Sequence, residues 1–362
     1  ALNDVFKQLK PGKQFEDLYH SAVCRAEADW LIGLNVTRAL TTKYKDPLSA
    51  GRVQTPTLAL VLEREQQIQT FVPKEYWTIR SEIGPLSTDW ERDNEKRLFD
   101  KVKAETIQSK VTGKKAVLEK IDRKKKSEPQ PLPYDLTELQ RDANKRFGFS
   151  AKKTSTVLQR LYEQYKLVTY PRTDSRYLTT DMMTTMSDRL QGMSSGYKDE
   201  VRPLLANKGQ VLAKRVFNNE KVTDHHAIIP TEQRLNLSEL DNDERKLYDI
   251  IARRFLALFL PAYDYESVQA VFKVEGETFT AKETNIIDLG FKKVLGKEET
   301  EQAATGLQKL VQGQSFTVKN ITINQKWTEP PQRYSEADVL AQMEKFGLGT
   351  PATRAEIIER LV

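Results

Sequence analysis

Cysteine is almost missing from the sequence: one residue, Cys24, in 362. That excludes an internal disulfide framework and any multi-cysteine metal site. Histidine is scarce too, with three in the chain, one of them (His20) in an ordinary helical context. A zinc enzyme is therefore not expected. The longest apolar run, Phe255–Leu260, falls far short of the roughly 20 residues a membrane span needs. No signal peptide opens the chain, since Ala1-Leu2-Asn3-Asp4 is already polar, and no initiator Met is present. The expectation is a cytoplasmic fragment. The phosphate loop G-x-x-x-x-G-K-[ST] does not occur, so ATP-driven chemistry has no support. Excess charge is small as well: 57 Lys plus Arg stand against 51 Asp plus Glu, a net +6. That balance permits a polyanionic partner without demanding one.

What is present is apolar material for several cores, 38% of residues, and a length that suggests two or three domains. Between residues 22 and 40, Ala28, Leu31, Ile32, Asn35, Val36, Ala39 and Leu40 recur with a helical period and predict one buried face. Pro47 and Ser49-Ala50-Gly51 interrupt it, and Thr57–Gln69 reads as a second helix with Leu58, Val61, Leu62 and Ile68 inward. From Phe71 the texture changes, and Tyr76–Ile83 and Ala116–Ile121 read as strands. The basic run Arg123–Lys126 leads into Pro129, Pro131 and Pro133 and reads as a solvated linker at a hinge or crossover. Helices return beyond it. One carries Leu136, Leu139, Ala143 and Phe147 and stops at Gly148; the next is capped by Ser150 and carries Val157, Leu158, Leu161, Tyr162 and Tyr165. The pair is a helix-turn-helix-like unit or an ordinary helical hairpin. Asp243–Leu260 continues the helical texture, and strands resume at Tyr265–Lys273 and Ser315–Trp327. Strand-rich stretches thus bracket a helical block, which predicts one β domain with a helical domain inserted into it. Near the end, Ser335 with Asp338 and Thr353 with Glu356 have capping-box spacing.

Four clusters carry possible chemistry. In Val168-Thr169-Tyr170-Pro171-Arg172-Thr173-Asp174-Ser175, the proline pushes Tyr170 away from helical geometry. If the backbone stays extended, Tyr170, Arg172 and Asp174 project to one side. A phenol can then attack phosphorus, a guanidinium can neutralise the non-bridging oxygens, and a carboxylate can orient the guanidinium. A structural Tyr-Pro turn with a surface ion pair accounts for the same spacing equally well. The second cluster is Asp224-His225-His226-Ala227-Ile228-Ile229-Pro230-Thr231. One histidine can serve a phosphate or move a proton; adjacent histidines in a strand face opposite ways and make poor co-ligands. The third, Ser49–Thr57, offers small residues and the donors Arg52 and Gln54 at a helix start. The fourth, Gly347–Arg354, is again glycine followed by a capped helix, with Thr353 as a cap and Arg354 as a phosphate ligand.

Together and in this order, these segments resemble the type IA DNA topoisomerases, specifically the bacterial topoisomerase III branch. The resemblance rests on Arg25–Gly33, Ser49–Thr57, the tyrosine box Tyr170–Ser175, the histidine box His225–Thr231 and Gly347–Ile358, and it runs from about Phe15 to the last residue. It implies a multidomain α+β fold, a torus with a helical base, a β arch and an inserted helical domain that carries the catalytic tyrosine. The corresponding boundaries are 1–70 for the first part of the base, 71–132 for the first part of the arch, 133–260 for the inserted domain, 261–327 for the rest of the arch and 328–362 for the truncated remainder of the base. By the same resemblance Tyr170 attacks one DNA strand and leaves a 5′-phosphotyrosyl link, Arg172 holds the scissile phosphate and His225 hydrogen-bonds to a nearby phosphate or to acidic neighbours. Arg25, Asp29, Arg52, Gln54 and Thr353 line a single-strand groove, and Asp174 and Arg354 are counted with the DNA-contacting set.

Exchanging one phosphodiester for another needs no ATP, which agrees with the missing nucleotide loop. Family members open with a Toprim domain supplying a glutamate and an Asp-x-Asp magnesium site. Nothing before Phe15 holds that domain, so Mg2+ is expected in the full-length enzyme, with no metal ligand in this chain. Asp241-Asn242-Asp243 has the spacing but reads as a helix cap. The expected partner is single-stranded DNA, and the expected behaviour is binding with little or no cleavage by this piece alone. Two rivals are a rolling-circle nuclease or relaxase, which needs two histidines one residue apart, and a non-catalytic single-strand binding module stacking bases on Phe147, Phe149 and Tyr177.

Overall fold

The computed structural model describes Phe6, residues 9–296 and residues 306–361. The first four residues and Val362, on which the readings of processing and truncation rest, lie outside the described residues. Helix α1 (Glu16–Ala28) runs through a π-helical turn at Asp29–Leu34 into α2 (Asn35–Tyr44), and α3 (Gln54–Gln69) follows. The apolar stripe expected to be buried here is not. Leu31, Ile32 and Val36 are exposed, as are Leu58, Val61 and Leu62. Periodicity reports a helix with an apolar face, but burial needs a second element over that face, and no described segment lies there. The start of α3 is anchored where Thr57 is buried and Val53 packs on the C-terminal helices, and further along Arg64 donates to Tyr334 Oη at 3.0 Å and Glu65 pairs with Arg333 at 2.8 Å.

Strands β1 (Glu75–Ile83) and β2 (Leu86–Trp90) form a hairpin. Its turn needs Gly84, at φ +60°, because a Cβ there would sit 2.6 Å from the Phe316 ring. Helix α4 (Lys101–Val111), capped by the Asp100 carboxylate, buries Ala104, Ile107 and Val111 against the sheet. Strand β3 (Lys115–Glu128) comes next. The basic run expected to be a linker lies inside it, with Arg123–Lys126 paired against Val268–Tyr265.

After the prolines come α5 (Leu136–Phe147), capped by Asp135 and ended by left-handed Gly148, and α6 (Ala151–Glu163), capped by Ser150. Helices α7 (Met186–Met193), α8 (Lys198–Ala206) and α9 (Asn242–Leu256) complete the block. Asp241 and Glu244 close a capping box on α9, a motif whose cap alone is worth about 1 kcal/mol. The chain then re-enters the sheet as β4 (Tyr263–Val274), β5 (Glu277–Asp288) and β6 (Ser315–Trp327). All six strands close into one antiparallel barrel in the order β1-β2-β5-β4-β3-β6. Its inward positions, Ile79, Ile83, Leu118, Phe272 and Phe279 among them, form one core. The helical block has its own, centred on Leu139, Leu158, Leu161, Tyr248 and Phe255, and the segment after β5 returns Phe291 and Val294 to it.

The chain ends in α10 (Glu336–Lys345), with the Ser335/Asp338 capping box, and α11 (Pro351–Leu361). Thr353 is not the cap of α11. Pro351, with no N–H to lose, takes the first helical position; the Thr350 N–H instead donates to Thr353 Oγ1 at 3.0 Å. Leu340, Met343, Ala355 and Ile358 join Ala151 of α6 and Val53 in a third core, which locks the C-terminal helices to both the helical block and α3.

Candidate active site

The tyrosine and histidine boxes lie side by side because both are extended and bonded to each other. Val168 bridges Pro230 antiparallel. The Thr169 N–H donates to Ile229 O at 3.0 Å, Thr169 Oγ1 to Ala227 O at 3.0 Å, and Thr173 Oγ1 to His225 O at 3.0 Å. This zipper sets the Tyr170 ring against His225, centroids 4.0 Å apart and planes 32° from parallel. From α6, Tyr162 meets the same ring edge-on at 5.6 Å. Sequence reading placed Tyr162 only on a helix face; its i+8 relation to Tyr170 crosses a turn, which periodicity does not resolve.

The backbone bends at Pro171 and Arg172 instead of continuing as a strand, so strict alternation fails. Arg172 and Asp174 are both exposed nonetheless, and with Thr223, Asp224 and His225 they line one cleft of about 390 Å³. Asp174 does not orient Arg172. Its carboxylate accepts from Thr223 Oγ1 at 3.1 Å, and among the described residues Arg172 pairs with no carboxylate. A guanidinium left open in a cleft is available to an anion. The cleft's third wall is Thr350-Pro351-Ala352 at the start of α11, whose helix dipole adds partial positive charge. Arg172 also borders a second cleft of about 320 Å³ with Lys152, Gln159 and Arg160.

His226 takes no part. Its Nδ1 donates to Ala227 O at 2.8 Å, and burial lowers its pKa below the usual histidine range. The two histidines do not converge on one point. Among the described residues no three of His, Cys, Asp and Glu gather as a metal site.

The remaining expected contacts divide. Asp29 and Arg52 form a two-pronged ion pair, Nε to Oδ1 at 2.8 Å and Nη2 to Oδ2 at 3.3 Å. That guanidinium, aided by the charge of Arg25, holds the Asp29 carboxyl below the usual range. Gln54 Nε2 donates to Ser49 Oγ at 3.3 Å. None of the four lines either cleft. Arg354 was read as a phosphate ligand, and the structure corrects this. It is buried, donating to Leu348 O, Gly349 O and Thr137 Oγ1, so it ties α11 to α5 and lines neither cleft. Thr353 is spent on the turn before α11.

Asp135, which caps α5 beneath the tyrosine box, is buried, and desolvation pushes its pKa up to about 6. The unfolded value is about 3.9, so across that interval the folded chain binds the extra proton and stability from this group falls as pH rises. Asp135→Asn keeps a capping oxygen. It is expected to raise stability at pH 7 by about 1–2 kcal/mol, the gain vanishing below about pH 4, as urea melts across that range will show.

The closed barrel with its inserted helical block is the architecture of a type IA DNA topoisomerase core. A family model described as DNA topoisomerase matches residues 13–362, and the chain belongs to that family. Its relatives include the DNA topoisomerase 3 of Bacillus subtilis (strain 168), 45% identical over 100% of this chain and 53% of the relative. That of Bacillus thuringiensis (strain Al Hakam) is 42% identical with the same coverage. Full-length topoisomerase I from Thermotoga maritima superposes with a TM-score of 0.71 at 29% identity, covering 94% of this chain and 56% of the other. The chain thus spans about half the length of the curated relatives it matches.

Proposed function

We propose that this chain carries the strand-cleaving tyrosine of an ATP-independent topoisomerase acting on single-stranded DNA. Tyr170 Oη bonds to phosphorus, the P–O3′ bond breaks, and the 3′ oxygen leaves as a hydroxyl with the phenol's proton. The 5′ phosphate stays on the tyrosine, and the reverse attack reseals the strand at little cost in bond energy. Arg172 neutralises the non-bridging oxygens as charge builds on them. His225, stacked on the phenol, fixes the ring and offers its imidazole to a phosphate. Passing a second strand through the break before resealing relaxes or unlinks DNA. Magnesium is expected to accompany the reaction in the whole protein, held by groups other than the described ones. The observation that supports this reading most is the ring contact of Tyr170 with His225 beside an arginine that no carboxylate neutralises. The rolling-circle alternative loses ground on His226, which is turned to its own backbone.

The test is a single-stranded oligonucleotide labelled at its 3′ end. It is incubated with magnesium and with this chain, alone and joined to the segments of the curated relatives that lie outside the match. A denaturant-resistant adduct mapping to Tyr170 is the expected product of the joined form. Absence of an adduct from both forms, or one on another residue, overturns the proposal.

A further inference from the structure

Strand β3 pairs with β6 only over Lys115–Val117, whereas its pairing with β4 continues to Glu128. Its second half is therefore an open edge of a ribbon made with β4 and β5. Burial alternates along β4 from Ser267 to Val274 and along β5 from Ala281 to Thr284. Val268, Ala270 and Ala281 point inward, while Ser267, Gln269, Lys282 and Thr284 point out. Pairing puts Lys124 opposite Ser267 and Ser267 opposite Thr284; Asp122 lies opposite Gln269, and Gln269 opposite Lys282. Directly opposed residues share a face, so Lys124, Lys126 and Lys282 all stand on the outer one. Lys120 is held by Asp122 at 2.7 Å. The other three are exposed and join no ion pair among the described residues. Lys124 and Lys126 are about 7 Å apart along the strand, and Lys282 stands about 10 Å across from their strand. The neutral hydrogen-bonders Ser267, Gln269 and Thr284 lie between them.

We infer that this outer face of the ribbon is a second nucleic-acid surface, one that holds the phosphate backbone of double-stranded DNA. Three free ammonium groups over a floor of hydroxyls and an amide complement phosphates and read no sequence. The face carries no platform for unpaired bases, which single-strand binding requires. Its one aromatic, Tyr265, is half-buried and stacked on Tyr263 at 5.1 Å. The inference rests on the reading of the chain as DNA-binding, and adds a site for a second segment on the barrel, separate from the cleft at Tyr170.

The test compares a short blunt duplex with oligo(dT) by fluorescence anisotropy, for the wild-type chain and for a Lys124→Gln, Lys126→Gln, Lys282→Gln triple variant. Between about 50 and 200 mM salt, the log–log slope for duplex is expected to drop by about 2–3 in the variant, with affinity weakened at least about ten-fold at 100 mM. Oligo(dT) binding should stay within about two-fold, and the Lys→Arg triple variant should restore duplex binding. Duplex affinity unchanged by the glutamines overturns the inference, as does equal weakening for both ligands. Lysines on an open edge also deter strand-to-strand aggregation; a variant that aggregates while its monomer binds duplex normally assigns them that role instead. A wild-type chain that binds oligo(dT) but no duplex removes this inference alone, whereas one that binds neither removes the functional reading with it.

Discussion

Tyr170→Phe is expected to eliminate the covalent adduct of the joined form completely, with no residual strand cleavage, while leaving the protein folded and still bound to oligo(dT). The substitution deletes one oxygen. The ring that remains keeps its contacts with His225 and Tyr162, and among the described residues the hydroxyl donates no hydrogen bond that its loss would orphan. Stability should therefore shift by less than about 0.5 kcal/mol, the scale of a substitution away from buried polar networks. Covalent catalysis has no partial form without its nucleophile. Arg172→Ala gives the graded contrast, because an electrostatic donor in a cleft is worth about 10² to 10³ in rate. The adduct still forms there, only slowly. Gel quantification of the adduct together with anisotropy on oligo(dT) separates the cases. Cleavage by Tyr170→Phe would move the nucleophile elsewhere, and loss of oligo(dT) binding would make Tyr170 a structural residue.

Local signals in the sequence carried a good part of the fold. Ser150, Gly148, Asp241 and the Ser335/Asp338 pair act as caps and stops where their chemistry says they should, since a cap is decided within four residues. The bracketing of helices by strands was legible for the same reason, and the closed barrel makes one sheet of both stretches. Strand β5 and the hairpin strand β2 are not legible, because buried polar residues (Thr88, Glu277, Thr280 and Glu283) break the apolar alternation on which a strand is read. Long-range facts were not readable. Whether Leu31 or Leu62 is covered depends on what lies over it, and whether Lys124 belongs to a linker or a strand depends on a partner that begins about 140 residues later in the register. The site divided the same way. The boxes holding Tyr170 and His225 could be picked out one by one, yet their contact depends on threonine side chains bonding across the gap between them.

Arg354 shows the cost of reading a helix start in isolation, and it sets the second large effect. Next to a glycine-rich turn, an arginine looks like a phosphate ligand. The structure spends its donors inside the protein: Nε on Leu348 O at 3.1 Å, Nη1 on Thr137 Oγ1 at 3.0 Å and Nη2 on Gly349 O at 3.4 Å. Burial lowers its pKa from the usual arginine range, but a guanidinium keeps its proton throughout ordinary pH. Arg354→Met fills much of the same volume and removes every donor, leaving two carbonyls and a hydroxyl unpaired. Each unsatisfied group costs about 1–3 kcal/mol, so a loss of about 3–5 kcal/mol is expected after the carbonyls find water. It should appear as a lower melting temperature and as faster amide exchange concentrated in residues 348–361, where α11 docks on α5. Arg354→Lys cannot span three acceptors set in a fork, and recovers only a minor part. A phosphate ligand would behave oppositely: Arg354→Met would leave the melt and the exchange unchanged and weaken oligo(dT) binding. The buried geometry predicts the first pattern, with DNA affinity falling only as far as the loosened α11 start alters the cleft wall at Thr350 and Ala352.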